Sequence, residues 1–272
     1  MSALLETKGL TREFAGLTAV DNVDLSVDAG RVHALIGPNG AGKSTLVGMV
    51  AGRIAPTRGE VWFDGRNITH LPAHVRIRSG MAYTFQITAI YSRLTLLDNI
   101  ALALRDQSRD KALAALDIVG LADRADQTAG DLAYGHQRLL EIAMGVAQSP
   151  RLLILDEPTQ GLAEVEINNF NVLIRRLAGQ TTILLIEHNM NVVMALADRI
   201  TVLETGQVLA DGTPDDIRTN PAVQEAYLRI TNAEISFDLL GKDGDDLPID
   251  EIEYVDDYQN DQDVPGVPAV DL

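Results

Sequence analysis

The octapeptide Gly37-Pro38-Asn39-Gly40-Ala41-Gly42-Lys43-Ser44 restricts this chain more than any other stretch in it. A short apolar run, Val32 to Ile36, precedes it, and Lys43 to Val50 follows with helical character, so the segment reads as strand, glycine-rich loop and helix. Glycines let backbone N–H groups curl around a phosphate, and the helix N-terminus adds a positive dipole end. Gly37, Pro38, Asn39, Gly40, Ala41, Gly42, Lys43, Ser44 and the following Thr45 are therefore the candidate nucleotide-binding residues. Lys43 is placed to reach the β- and γ-phosphates of a nucleotide. The Ser44 hydroxyl is placed to ligate Mg²⁺, which prefers oxygen ligands and keeps several waters. Every fixed position of the loop and both flanking elements agree, which a chance glycine-rich turn would not achieve.

The rest of the chain fits an α/β core built on that unit. Residues 3–8, 23–28 and 60–63 alternate or cluster apolar side chains between turn signals such as Asp28-Ala29-Gly30 and Asp64-Gly65, which predicts an N-terminal antiparallel β-subdomain. From about Asp98 to Ala147, Ala, Leu and Ile recur at three- and four-residue spacing, which predicts a helical subdomain near 87–149. Leu152 to Leu155 and Thr182 to Ile186 are continuous apolar runs of the kind found in fully buried parallel strands. Ile200 to Leu203 and Gln207 to Ala210 form a hairpin pattern. Thr213 then caps a helix starting at Pro214, and Pro221 starts another, reaching to about Ile230.

Arg151-Leu152-Leu153-Ile154-Leu155-Asp156-Glu157-Pro158 reads as a strand that delivers two carboxylates to the sheet edge. Asp156 is the candidate holder of Mg²⁺ through water. Glu157 is the candidate base that polarises an attacking water, a role worth about 10²–10⁴-fold for positioned bases generally. A buried strand ending in a solvated acidic pair is the plainer alternative, and the phosphate-binding loop upstream weighs against it.

Leu132-Ala133-Tyr134-Gly135-His136-Gln137, a glycine-containing turn before a helix predicted over Gln137 to Ala147 and about twenty residues before Asp156, resembles the signature of the ABC ATPases, whose usual form is Leu-Ser-Gly-Gly-Gln. The chain is on these motifs similar to that family over about residues 4–230. The resemblance implies a P-loop NTPase of the ABC type with ATP and Mg²⁺ as cofactors. It also implies that Ala133, Tyr134, Gly135 and His136 offer backbone N–H groups to the γ-phosphate bound on a second ATPase subunit, in a homo- or heterodimer. Gln86, in Thr84-Phe85-Gln86, resembles the Q-loop glutamine, a contact of Mg²⁺ and of the attacking water. His188, in Ile186-Glu187-His188-Asn189, resembles the switch histidine. Phe14 resembles the aromatic that stacks on adenine, with core packing as the competing reading. Arg76-Ile77-Arg78, Leu96 to Ile100, Glu141-Ile142-Ala143 and Gly212-Thr213-Pro214 followed by Asn220-Pro221 look most like the ATPases of branched-chain amino-acid importers, with urea-importer ATPases close behind.

That resemblance implies transmembrane permease subunits as partners, docked on Ile87 to Leu97, and an extracytoplasmic substrate-binding protein acting indirectly. The location implied is the cytoplasmic face of the plasma membrane. The departures are Ala133 for the signature serine, His136 for its glutamine, Met144 for a common arginine, and Ala163 where the D-loop Gln160-Gly161-Leu162-Ala163 usually ends in Asp or Asn. A soluble ABC protein acting on nucleic acid and a weakly hydrolysing regulator are the competing classes.

Charge and composition bear on those alternatives. Residues 233–272 hold thirteen Asp or Glu against one Lys, a net of −12 out of −17, so only −5 belongs to residues 1–232. The expected organisation is an ATPase domain over 1–232 with an acidic, disordered extension over 233–272. Neither part has the basic stripe that nucleic-acid binding needs. Cysteine is absent, which removes disulfides and thiolate metal sites and fits a reducing compartment. No stretch approaches the roughly 20 apolar residues that span a bilayer, and no signal peptide is evident.

Overall fold

A computed structural model of the chain describes residues 3–84, 89–104 and 106–228. Strands β1 (Ala3–Phe14) and β2 (Leu17–Asp28) form a long hairpin. β4 (Arg58–Phe63) and β5 (Arg66–Asn67) extend it into an antiparallel sheet of order β2-β1-β4-β5. The predicted β-subdomain is therefore present, with β1 and β2 each longer than the apolar pattern marked, because bulges interrupt the alternation at several steps of the hairpin.

The second sheet is built on β3 (Val32–Ile36), β7 (Leu152–Asp156) and β8 (Thr182–Ile186), with β6 (Met81–Thr84) and the hairpin β9 (Arg199–Glu204) and β10 (Gln207–Gly212). Its order is β10-β9-β3-β8-β7-β6. All its neighbours are parallel except β10 against β9. β7 and β8 alternate faces along the chain. Leu153, Leu155, Ile183 and Leu185 join one core, while Leu152, Ile154, Leu184 and Ile186 join another beneath the antiparallel sheet. Both faces are dry, which is why these strands read as unbroken apolar runs. β6 carried no comparable signal, since it is four residues long with Gly80 before it.

Between β6 and β7 the chain passes through α3 (Leu96–Ala103), α4 (Arg109–Ile118), two short 3₁₀ turns and α5 (Tyr134–Val146). Leu96, Ile100, Leu116 and Leu140 from these helices share a core with Leu153 and Leu155 of β7. Ser108 and Thr95 cap α4 and α3 through their side-chain oxygens. α6 (Glu164–Ala178) follows β7 and α7 (Met190–Leu196) follows β8, while α8 (Pro214–Arg218) and α9 (Pro221–Leu228) close the described chain. Thr213 caps α8 as expected, accepting from Asp216 N. The acidic stretch 233–272 lies outside the described residues.

α1 (Lys43–Val50) occupies the residues predicted for it and is held at its C-terminal end by one buried guanidinium. Arg76, in α2 (Ala73–Arg78), donates to the carbonyl oxygens of Met49, Val50, Thr69 and Leu71 at 2.7–2.8 Å. Burial pulls its pKa down to about 10, so it stays charged at neutral pH.

β3 enters the glycine-rich loop beside a buried polar chain. Thr201 gives its one hydroxyl hydrogen to Asp211 Oδ2 at 2.5 Å, so it must accept from His33 Nε2, 2.8 Å away, and the ring carries its proton on that nitrogen. Burial lowers the His33 pKa to about 4, with Asp211 and Asp28 opposing and Arg199 assisting. The unfolded chain, near 6.5, then takes up the proton first. This contribution to stability is complete above about pH 6.5 and is lost between there and about pH 4, at roughly 1.4 kcal/mol per pH unit. Urea unfolding of H33Q at pH 5 and 7.5 should show a smaller difference between the two pH values than the parent chain.

Candidate functional site

Register aligns the C-terminal ends of the central strands: Leu35 pairs with Ile186, and Ile186 with Asp156. The residues that follow β3, β8 and β7, namely the Gly37–Ser44 loop, Glu187–His188 and Glu157, therefore emerge on one sheet edge, where α/β sheets bind ligands. A Cβ at Gly37 would lie 2.1 Å from the Leu203 carbonyl oxygen, and one at Gly42 2.4 Å from that of Ala19. Both glycines also have positive φ, so the loop tolerates no side chain at either point. Gly206, in the β9–β10 turn, donates to Ala41 O at 3.0 Å and ties the loop to the hairpin.

Lys43 donates to Gly37 O at 2.6 Å and Pro38 O at 3.0 Å, so its ammonium lies inside the curve of the loop. Burial holds its pKa below the usual lysine range, and the nearby Glu157 and Asp156 offset part of that. α1 starts at this point with no side chain capping it. Its first-turn N–H groups are left for an anion, and the exposed Ser44 sits in that same turn. These groups fit the phosphates of ATP. For Mg²⁺ the chain offers Ser44 and Asp156, and among the described residues no group of three or more His, Cys, Asp or Glu could cage a cation. One or two protein oxygens completed by phosphate oxygens is the form of Mg²⁺ site such a donor set suits.

Asp156 is 6% exposed and accepts from Tyr83 Oη at 2.5 Å. Glu157 adopts a left-handed backbone, φ 46°, with its N–H bonded to Ile186 O at 2.9 Å. For a non-glycine residue that conformation costs on the order of 1 kcal/mol or more and clusters at functional positions. His188 is exposed, which sets aside a purely structural histidine in the core. Phe14 is 40% exposed, so the core-packing alternative is not realised, and the Arg12 guanidinium lies 4.3 Å from its ring centroid. Gln86 and the start of the predicted docking stretch, Ile87 and Thr88, lie outside the described residues. Within the remainder of that stretch, Tyr91 and Arg93 are exposed and Ile90 is half-buried.

The helix predicted from Gln137 starts three residues earlier, so Tyr134, Gly135 and His136 are its first turn and Ala133 is its uncapped N-cap. They pack on the segment after Glu157 of their own chain. A Cβ at Gly135 would fall 2.0 Å from Glu166 Oε1, and one at Gly161 would fall 3.1 Å from the Tyr134 ring. His136 Nδ1 is enclosed and has no hydrogen-bond partner among the described residues. Ala163 is the N-cap of α6 and offers no side-chain oxygen; Glu166 reaches back to its N–H at 2.9 Å.

Three residues that hold the site together carried little sequence signal. Arg138, 1% exposed, donates to Glu141 at 2.6 Å, to Asp156 O at 2.8 Å, to Glu157 O at 3.1 Å and to Pro158 O at 3.2 Å, which joins the signature helix to the strand end. Glu187 is fully buried. Its Oε1 accepts from Thr159 N at 3.0 Å and Oγ1 at 2.5 Å, and its Oε2 from His188 N at 3.0 Å and Asn189 N at 3.2 Å. Tyr83 is the third, raised above the ordinary phenol range chiefly by burial. A carboxylate closing a continuous apolar run was a usable cue for Glu187; Arg138 and Tyr83 offered none.

A family model described as ABC transporter matches residues 20–160, and a second, described as branched-chain amino acid ATP-binding cassette transporter, matches residues 207–228. The chain is 40% identical over 248 residues to the high-affinity branched-chain amino acid transport ATP-binding protein BraF of Pseudomonas aeruginosa, covering 83% of this chain and 97% of that protein. It is 38% identical to the corresponding protein LivG of Escherichia coli K12, again over 83% and 97%. Among solved structures, the ADP conformation of an ATP-binding cassette of an ABC transporter superposes with a TM-score of 0.79 at 27% identity, covering 84% of this chain and 99% of that one. The fold and the loop define an ATP-binding cassette. The chain belongs to the ABC transporter ATPase family. Within it, the relatives named here are branched-chain amino acid transport subunits, and neither the urea-importer nor the soluble reading is favoured.

The Glu187 geometry makes a prediction independent of activity. E187Q puts an amide N–H₂ against backbone or hydroxyl donors on one side. It should cost about 1–3 kcal/mol in urea unfolding, and a change within 0.5 kcal/mol would refute the four-donor account.

Proposed function

We propose that this chain is the ATP-hydrolysing subunit of an ABC importer for branched-chain or related amino acids. The observation that carries the proposal is the convergence of Lys43, Asp156, Glu157 and His188 on one edge of three parallel strands, β3, β8 and β7, in register. The 40% identity to a branched-chain amino acid transport ATP-binding protein supports the cargo class.

In this reading the loop N–H groups from Gly37 to Thr45 and the Lys43 ammonium bind the phosphates, and Phe14 stacks on adenine. Ser44 and Asp156 hold Mg²⁺, Asp156 through water, together with Gln86. Held there, Mg²⁺ would supply positive charge to offset the negative charge that develops on the phosphates. Glu157 orients the attacking water and takes its proton, while His188 contacts the γ-phosphate. Ala133, Tyr134, Gly135 and His136 face the nucleotide of a second ATPase subunit. Arg138 and Glu187 keep Glu157, the turn after it and His188 in fixed relation, so that closure acts on a preformed edge.

Among the described residues no helix is long and apolar enough to cross a membrane. Transmembrane permease subunits supply that part, with the chain held peripherally on the cytoplasmic face and the substrate-binding protein acting from the far side. The ATPase domain is residues 1–232, with the helical insertion near 87–149, and 233–272 is an acidic extension outside the catalytic unit.

Co-expression with any permease genes found beside its own tests this reading. The complex should hydrolyse ATP, and E157Q should lower kcat by about 10²–10⁴-fold while still binding ATP. A chain that purifies alone, or an E157Q complex with unchanged turnover, would overturn it.

A further inference from the structure

The three residues that brace the site differ in kind. Arg138 and Glu187 hold mainly backbone groups, with the Glu141 and Thr159 side chains beside them, whereas Tyr83 touches a side chain assigned to the metal. We propose that Tyr83 is a positioning residue for Mg²⁺. It locks one oxygen of Asp156 so that the other is presented to the ion's water, and the proposal rests on the reading of Asp156 given above.

The geometry follows from strand register. Tyr83 on β6 pairs with Ile154 on β7, and Asp156 stands two residues further along on the same face. Two residues of strand span roughly 6.6 Å, about the reach of a tyrosine side chain laid along it. The Tyr83 hydroxyl accordingly meets Asp156 Oδ2 at 2.5 Å. An ionised carboxylate only accepts, so the phenol is the donor.

Why a clamp is useful follows from the side chain it holds. The terminal torsion of aspartate is broad rather than staggered, so an unbraced carboxylate samples many planes. Tyr83 selects one and commits Oδ2, leaving Oδ1 for the metal's water. The ring is steadied in turn: the guanidinium of Arg53, just beyond α1, lies 5.2 Å from its centroid. A residue from the edge strand thus braces the carboxylate and is itself backed by one from just beyond the loop helix. Hydrogen-bond partners behind metal-holding groups are worth about 10–100-fold in metal affinity.

The test uses the full-length chain and a fluorescent ATP analogue, with nucleotide affinity measured in EDTA and across a Mg²⁺ titration, for the parent, Y83F, D156N and the double variant. Mn²⁺ bound to the nucleotide complex, followed by electron paramagnetic resonance, gives a direct reading of the ion. Y83F should raise the half-saturating Mg²⁺ concentration about tenfold, leave affinity in EDTA unchanged, and add nothing in the D156N background. If D156N shifts the titration but Y83F stays within twofold of the parent, the role of Tyr83 is wrong and that of Asp156 stands. If D156N itself shifts nothing, the Asp156 reading fails and the proposal with it. A Y83F chain that loses affinity equally with and without metal would make Tyr83 a packing residue only.

Discussion

Strands buried on both faces can meet a ligand from solvent only at their ends, and everything at this site depends on that constraint. β3, β7 and β8 are dry above and below, so their registered C-terminal edge is where a charged ligand can meet the sheet without an aqueous face. Parallel pairing then decides which residues become neighbours. Loci far apart in the chain, at residues 37–44, 156–157 and 187–188, meet because Leu35, Asp156 and Ile186 lie level across three strands. A shift of one residue in any pair would turn the apolar side chains to the wrong core, which makes the alignment costly to lose.

Holding such an edge in place requires buried charge, and the chain uses it in compact, fully bonded units. Arg76 binds the carbonyls at the end of the loop helix, Arg138 those at the end of β7, and Glu187 the N–H groups on both sides of the gap between Thr159 and His188. Each charge meets several backbone dipoles, the condition under which a buried ion is tolerated. The left-handed Glu157 is held the same way, with its N–H bonded to Ile186 and its carbonyl to Arg138. These groups make the site rigid before any ligand arrives, and preorganisation is what electrostatic catalysis needs.

The departures from the family signature find partial structural answers. Ala163 lacks a capping oxygen, though Glu166 still accepts from the Ala163 N–H, and a side chain at Gly135 would run into that same carboxylate. Ala133 is an N-cap without a side-chain acceptor, so no side chain caps the first-turn N–H groups of α5. His136 leaves a ring nitrogen enclosed in that same turn. Nothing in the structure explains Met144.

Short-range rules were enough to find the strand, glycine-rich loop and helix around residues 37–44, the strand running to Asp156, β8 and the capped start of α8, because spacing, glycine conformation and apolar runs act over a few residues and are written directly in the chain. The same local patterning made the antiparallel sheet and the helical insertion legible, though not the full length of β1 and β2, where bulges break the alternation. The start of α5 was misplaced by three residues, since an uncapped helix opening on Tyr134 carries no stop or start chemistry. What only the tertiary structure decided is which side chains brace the site. Arg138, Glu187 and Tyr83 matter through partners 18 to 73 residues away. No local pattern records a distance across strands, because side-chain reach is set by register and packing once the sheet has formed.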